Sequence, residues 1–596
     1  NIKTGRKLGL FDCIHAPCMD ECPTNQDIPE YLSHIANGEF SKALEVIHRK
    51  NPFPNVLGSA CDHPCQLRCT RINYDQPLKI RELKLFAAHN GKAPDVPLVN
   101  ENGKSAAIIG AGPSGLSFAY FMRLAGFRVE IFESHPDPGG MVRDAIPPFR
   151  MKAELLEKDI ERIRSTGVII HFNAPVDRSI FGQLRRDFDY VYIAAGARRF
   201  KTLPLEGAGA GGVVDPLTFL KLAKAGKKSD TGRNILVIGG GNTAMDVART
   251  ARRTAAEDAS VSVVYRRSRA EMPASREEIE AALHEGVRLL ELLSPEQIHV
   301  KDGHIVALSC AKMKLITPAD GGRPKPCKTD EPLITLPADT LIPALGQETD
   351  IDFATPQELS LRPESDYETQ LDRVYIGGDA IRGAATIVKA VGDGRRAAAA
   401  IAASAGIVLD TDNPPAEKHL EKSELIIRKS RRINIDPAME NTPPLLTAET
   451  AREEPLRCLQ CDELCNICVT VCPNRANISY QTPAVDIPQW KMINHKNGIS
   501  FEQTGILKIA QSTQVLNLAG FCNECGNCTT FCPSSGAPFR DKPRFCLSRE
   551  SFNKTDNGYM LQWANGRLTL LHRQGDLVSR LTRQAEIGRA SCRERV

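Results

Sequence analysis

The chain has 596 residues, with 76 basic against 72 acidic side chains and a formal net charge of +4. That balance excludes the basic surface of a nucleic-acid or anionic-membrane binder. Hydrophobic residues at 42% and charged residues at 25% exclude a disordered chain and suit roughly four globular domains of about 150 residues. The longest small-apolar run, Ala397 to Leu409, is broken by Ser404 and is shorter than the roughly 20 residues of a membrane span. No secretory signal is recognisable at the start, which points to the cytoplasm. Residue 1 is Asn, so further sequence is expected upstream.

In chain order, residues 1–100 read as a helical region holding Cys13, Cys18, Cys22, Cys61, Cys65 and Cys69. A disulfide framework suits small secreted domains. Dense cysteines at short spacing in an intracellular chain read instead as metal or iron–sulfur ligands.

Residues 104–408 alternate β-branched runs with alanine-rich helical stretches, the α/β pattern. Ser105 to Glu133 reads SAAIIGAGPSGLSFAYFMRLAGFRVEIFE, a strand, a glycine turn, a helix and a second strand. Gly110, Gly112 and Gly115 form G-x-G-x-x-G, with Pro113 opening the helix. The first glycine permits the turn, the second lets backbone approach a pyrophosphate, and the third lets helix pack on strand. The helix N-terminus offers N–H groups to phosphate. Glu133 ends the second strand, where an acid accepts hydrogen bonds from a ribose diol.

A second copy begins at Asn234, NILVIGGGNTAMDVARTARR. Gly239, Gly241 and Ala244 give G-x-G-x-x-A, and Asn242 and Thr243 open the helix. The next strand, Val261 to Tyr265, is followed by Arg266 and Arg267 instead of an acid. Guanidinium groups bind a 2′-phosphate that an acid would repel, so this fold is expected to take NADPH. A solvated arginine pair is the plainer alternative.

Asp410 to Glu454 is polar, holds Pro414-Pro415 and Pro443-Pro444, and reads as a surface connector. Beyond it, Cys522, Cys525, Cys528, Cys532 and Pro533 form C-x2-C-x2-C-x3-C-P, the bacterial ferredoxin run. Cys465, Cys468, Cys472 and Pro473 repeat its second part, with Cys461 one residue further upstream than the run requires. The spacing assigns one 4Fe–4S cluster to Cys461, Cys465, Cys468 and Cys532, and another to Cys522, Cys525, Cys528 and Cys472. Either Cys458 or Cys461 is then spare. Zinc held by C-x2-C pairs is the alternative. Residues 585–596 resemble translated vector sequence and are set aside with Cys592.

Two nucleotide folds in one chain resemble the flavin disulfide-reductase architecture. That resemblance implies FAD on the first fold and the nicotinamide nucleotide on an inserted second. Arg373 to Asp379 (RVYIGGD) resembles the closing FAD motif, implying FAD contacts at Gly378, Asp379 and the helix start near Thr386. Gly139-Gly140-Met141 resembles the loop covering FAD, implicating Gly140 and Met141. Residues 13–400, with YRRSRAEMPA at Tyr265–Ala274, are similar to the glutamate synthase small chain and to the flavin half of dihydropyrimidine dehydrogenase. Those families hold two 4Fe–4S clusters in the N-terminal region. Here a cysteine expected three residues before Cys13 is Leu10, and Glu82 to Leu85 lacks the glutamine one cluster uses. One N-terminal cluster is implied, and a second only if Glu82 or upstream chain contributes.

The domain order, with CNICVTVCPNRAN at Cys465–Asn477, resembles the selenate reductase iron–sulfur subunit family. The expected architecture is multidomain: a helical Fe–S domain (1–100), an FAD domain (104–212 and 340–408) and an inserted NADPH domain (213–339). A linker (409–454) and an α+β two-cluster ferredoxin-like domain (455–584) follow. The implied activity passes electrons from NADPH through FAD to 4Fe–4S clusters, and on to an acceptor or larger reductase subunit. A glutamate synthase small-chain-like input subunit and a non-catalytic Fe–S or zinc scaffold are the other readings. Hydride transfer requires no acid–base side chain, so no catalytic residue is named.

Overall fold

The protein is seen in a computed structural model that describes residues 3–12, 15–96, 99–227, 230–318, 322–363, 365–407, 409, 422–431, 433, 446–463, 465–495, 498–509, 511–564 and 567–583. The expected ligand Cys13, the tail 585–596 and most of the 409–454 stretch lie outside the described residues.

The N-terminal region is helical, with Ile28–Ala36, Phe40–Lys50, Pro54–Ala60 and Ile80–Asn90 as its main helices. Their apolar faces close on a core of Tyr31, Leu32, Ile35, Ile47 and Leu83. Cys22, Cys65 and Cys69 stand inside that core.

The first nucleotide fold is a five-stranded parallel sheet, ordered Val374–Ile376, Tyr190–Ile193, Ser105–Ile109, Arg128–Phe132, Ile169–His171. Every residue of Ser105–Ile109 is buried, as a central parallel strand covered on both faces requires. The helix Pro113–Leu124 is enclosed between this sheet and the long helix Ile387–Ser404. Gly394 permits that approach, because a Cβ there would run into the Ser114 carbonyl.

The second fold is a four-stranded parallel sheet, Thr340–Pro343, Asn234–Ile238, Ser260–Tyr265, Arg288–Glu291. An antiparallel layer built on Leu293–Lys301 and His304–Ile316 packs beside it. The chain enters this fold after Tyr190–Ile193 and returns to the first sheet at Val374–Ile376, so the second fold is inserted in the first.

The helical region packs into the flavin-fold core through Phe53, Val56 and Leu57, and one carboxylate of that fold caps it. Asp159, on helix Ala153–Arg164, accepts from Asn55 Nδ2 at 2.7 Å and Val56 N at 2.9 Å. Those donors open helix Pro54–Ala60, so a side chain of one domain caps a helix of another. Beyond residue 446, Ala448–Glu453 forms a short helix whose Ala451 is fully buried in the N-terminal core. The end of the expected surface connector is thus core structure. The stretch is polar in composition, yet Arg452 lies 5.7 Å from the Phe40 ring centre and Glu454 accepts from Lys79 N at 3.2 Å, both in the N-terminal domain.

The C-terminal region holds a six-stranded mixed sheet from Asn477–Gln481 to Leu577–Arg583 and short helices at Ile467–Thr470 and Asn527–Phe531. The hairpin Val485–His495 and Gly498–Ile509 extends from it with Trp490 and Phe501 exposed.

Candidate functional site

A cavity of about 360 Å³ lies where three regions meet. The first fold supplies Gly112 and Asp379, the second supplies Asn242 and Thr243, and the helical region supplies Ala60 and Asp62, which flank Cys61.

The glycine turn builds one wall. Gly110 sits at φ +104°, and a Cβ there would press on the Ala194 carbonyl oxygen at 2.6 Å. A Cβ at Gly115 would collide with the Gly110 carbonyl oxygen and lie 3.1 Å from Ile108 Cγ2. At Gly112 it would meet nothing within 4 Å, so the second glycine faces open space. Glu133 is buried, and its carboxylate accepts from Ala111 N at 2.7 Å and His135 N at 2.9 Å. It therefore fastens the glycine turn as well as lining the cavity. A carboxylate has about four acceptor positions, which leaves room for a diol.

The Gly139–Gly140 loop closes over this turn. Gly139 N donates to Ala111 O at 2.8 Å, and Gly140 lies against Gly112. Met141 lines the cavity beside Gln347. Gly378, at φ +64°, donates its N–H to Asp393 at 3.0 Å, and Asp379 accepts from Ala385 N at 3.1 Å. Burial pushes the Asp379 carboxyl up to about 6, which favours a role as a hydrogen-bonding partner to hydroxyls. Thr386 caps the helix Ile387–Ser404 and lines the cavity at that helix start.

In the second fold Gly239 sits at φ +138° against the Ala344 carbonyl, with Gly241 as the cap of helix Asn242–Thr254. Ala244 is fully buried under the turn. Ala274 N donates to the Gly240 carbonyl at 3.1 Å and Asn242 Oδ1 accepts from the following Ser275 N at 2.8 Å, holding the end of the YRRSRAEMPA segment against the turn. Arg266 stands exposed at the strand end, whereas Arg267 donates Nε to the Pro324 carbonyl at 3.0 Å. Arg323, which sequence reasoning passed over, reaches Tyr265 Oη at 3.0 Å. Also missed were Arg150 and Asp246, an ion pair at 2.8 Å lining the same cavity.

Fourteen of the seventeen described cysteines fall into four groups. Cys22, Cys61 and Cys65 are buried together next to the cavity, with Lys84 beside them. Burial first, then the neighbouring Cys22 and Cys61, push the Cys65 thiol well up, and Lys84 opposes this. Cys18, Cys69, Cys458 and Cys461 line a second enclosure. Cys465, Cys468 and Cys532 line a third with His15 and Asp20, and Cys472, Cys522, Cys525 and Cys528 a fourth. The structure therefore brings Cys461 to Cys18 and Cys69 and away from the Cys465 enclosure. Cys458, unassigned by spacing, lies there too. Cys310, Cys327 and Cys546 join no group among the described residues.

The donor set suits clusters: Cys18, Cys69, Cys458 and Cys461 line one enclosure and Cys472, Cys522, Cys525 and Cys528 another, four thiols each, as a 4Fe–4S cubane takes.

Residues 104–394 match the family described as pyridine nucleotide-disulphide oxidoreductase, and residues 9–95 match dihydropyrimidine dehydrogenase domain II, 4Fe-4S cluster. The chain is 36% identical over 581 residues to the protein YgfK of Escherichia coli (strain K12), covering 96% of this chain and 53% of that protein. It is 37% identical over 424 residues to the NADP(+)-dependent formate dehydrogenase subunit beta of Moorella thermoacetica, covering 65% and 60%. It is 30% identical over 418 residues to the glutamate synthase (NADPH) small chain of E. coli (strain K12), covering 65% of this chain and 88% of that one. The chain thus spans about half the length of YgfK, at 53%.

Proposed function

The chain belongs to the family of the glutamate synthase (NADPH) small chain, pyridine nucleotide-disulphide oxidoreductases with an N-terminal 4Fe–4S domain, and from that membership we propose that it is an NADPH-dependent flavin and iron–sulfur oxidoreductase. The observation that carries this reading is the single cavity shared by both nucleotide folds and by the residues flanking Cys61.

FAD bound there supplies the exchange between a two-electron donor and one-electron carriers, which iron–sulfur clusters are. The residues prepare that exchange. Gly110, Gly112 and Gly115 with the helix opened by Pro113 cradle a pyrophosphate, and Glu133 receives a ribose. Gly140 and Met141 cover the flavin, while Gly378, Asp379 and Thr386 face its ribityl chain and ring. Gly239, Gly241, Asn242, Thr243 and Ala244 hold NADPH, with Arg266 and Arg267 at its 2′-phosphate. The C-terminal region, with the Cys472, Cys522, Cys525 and Cys528 enclosure, is the ferredoxin-like output domain.

Relatives named as a subunit beta and a small chain support a role as an electron-input chain docking on a larger partner. The selenate reductase resemblance rests on domain order and on the phrase at Cys465–Asn477. The residues of the site address a dinucleotide and thiolate-held iron, so the terminal acceptor is to be identified by screening.

Anaerobic NADPH titration of the purified chain tests the reading. Flavin absorbance is expected to bleach and reduced-cluster paramagnetic signals to appear. A zinc-loaded chain inert towards NADPH and artificial acceptors would instead be a scaffold. For Arg266, loss of a charge-assisted bond of about 1.5–3 kcal/mol predicts a ten- to hundredfold rise in NADPH KM for Arg266→Ala, approximately. The KM for NADH should stay near its original value. Equal losses for both nucleotides would remove Arg266 from the phosphate site.

A further inference from the structure

We propose that one 4Fe–4S cluster is held jointly by the two ends of the chain, on Cys18 and Cys69 of the N-terminal domain and Cys458 and Cys461 of the C-terminal segment. The inference rests on the reading of the chain as an iron–sulfur protein and deepens it.

Three observations converge. The four cysteines line one enclosure, packed between Ile28, Leu32, Leu78 and Ile80. Cys69 and Cys458 are buried in one hydrophobic core, with Cys18 and Cys461 packed against it. Cys461 Sγ approaches Thr70 Oγ1 at 3.4 Å, placing it next to Cys69. Cys18, Cys69, Cys458 and Cys461 thus present four thiols to one small enclosure, the number a 4Fe–4S cubane takes.

The surrounding contacts are specific to this docking. Gln460 Nε2 donates to the Pro29 carbonyl at 3.3 Å, and Lys79 N donates to Glu454 Oε1 at 3.2 Å. Arg457, adjacent to Cys458, pairs with Asp75 at 3.1 Å. The peptide carrying both C-terminal cysteines is thus registered on the N-terminal domain by backbone and side chain alike.

The placement also bears on two sequence anomalies. Cys458 and Cys461 bring the six N-terminal cysteines to eight, and the ill-fitting Cys461 leaves the ferredoxin run, where seven cysteines remain. The enclosure lies between the Cys22–Cys61–Cys65 group, whose Cys65 neighbours Cys18, and Cys465, which neighbours Cys461. A cluster there would take one electron from the flavin side and give one to the ferredoxin side.

The test uses the full chain isolated anaerobically and reduced with dithionite, so that NADPH is not involved. Cys18→Ser, Cys69→Ser, Cys458→Ser and Cys461→Ser are compared with Cys468→Ser and Cys525→Ser for iron, sulfide, flavin and paramagnetic spectra. Each of the first four should lose the same spectral component and about four irons, with flavin retained. The Cys458→Ser/Cys461→Ser double variant should lose no more than either single one. If the C-terminal pair instead removes the component lost in Cys468→Ser, or removes no iron, the shared cluster does not exist. Should a variant fail to accumulate, wild-type protein is treated with limiting chelator and an alkylating reagent. Cys18 and Cys458 should become labelled together, and labelling at different iron contents would overturn the assignment. A chain that shows these spectra with dithionite but not with NADPH would sink the proposed function while leaving the cluster assignment standing.

Discussion

Gly115→Val is expected to yield a chain that is isolated without flavin. A side chain at this position points into the Gly110 carbonyl oxygen, with Ile108 Cγ2 behind it at 3.1 Å. The turn has nowhere to go: Gly110 N is bonded to Phe132 O at 2.9 Å, and Ala111 N to Glu133 at 2.7 Å. The helix Pro113–Leu124 cannot retreat either, since Gly394 of the long helix lies against Ser114. Overpacking of this kind costs about 3 kcal/mol or more when backbone blocks the relief. The informative contrast is Gly112→Ala. Its methyl enters open space, so that variant should fold and melt normally, yet bind flavin weakly because the methyl occupies the phosphate approach. Flavin absorbance per chain and thermal melting of both variants check this. Full flavin occupancy in Gly115→Val would show that the turn does not bind the cofactor.

Local physics explains how much of this was legible in sequence. A strand, a glycine turn and a helix are encoded within about thirty residues, so both nucleotide folds could be read from spacing. The insertion of the second fold was implied by the resemblance to the flavin disulfide-reductase architecture, and the structure shows it in the paired strands Tyr190–Ile193 and Val374–Ile376. The roles of single residues were harder. Glu133 reads as a ribose acceptor, but its carboxylate also fastens Ala111, a contact no motif encodes. Asp393, fully buried, bonds Gly378 N, Tyr367 and Arg382 and so shapes the closing FAD motif from a helix downstream. The cysteine groups mark the limit. Spacing predicts partners only within a local motif, and it joined Cys461 to Cys465. The structure sets Cys461 beside Cys69, far away in sequence. The signals available were the surplus cysteine at 458–461, the deficit at the N-terminus, and the acidic and basic residues of 452–457.

Those charged residues give the second large effect. Asp75→Asn should undock the segment that carries Cys458 and Cys461. Arg71 grips Asp75 with two bonds, at 2.7 and 2.9 Å, and Arg457 reaches it at 3.1 Å. Arg457 also pairs with Glu454 at 2.6 Å and donates to the Gln76 carbonyl at 2.8 Å. Arg71 is fully buried and Arg457 nearly so. Asp75 thus bridges two buried guanidinium groups, of which Arg457 has a second carboxylate in Glu454, and removing its charge takes the carboxylate partner from Arg71. Breaking such a network from one side costs about 3–5 kcal/mol. That loss exceeds what a short helix and a few apolar contacts can restore. Protonation should act in the same direction. Burial raises the Asp75 carboxyl, but the bonds from Arg71 and the Ile433 N–H and the charge of Arg457 outweigh it and hold it at about 2. The folded value lies below the unfolded one, so this stabilisation is complete above about pH 4 and is lost as pH falls towards 2. Protease cleavage within 446–463 should accelerate in Asp75→Asn at neutral pH and in the parent chain only in that acidic window. The same variant should lose the paramagnetic component attributed to Cys18, Cys69, Cys458 and Cys461 while keeping its flavin. Cleavage at the parental rate with that component intact would mean that the ion-pair network does not hold the two ends together.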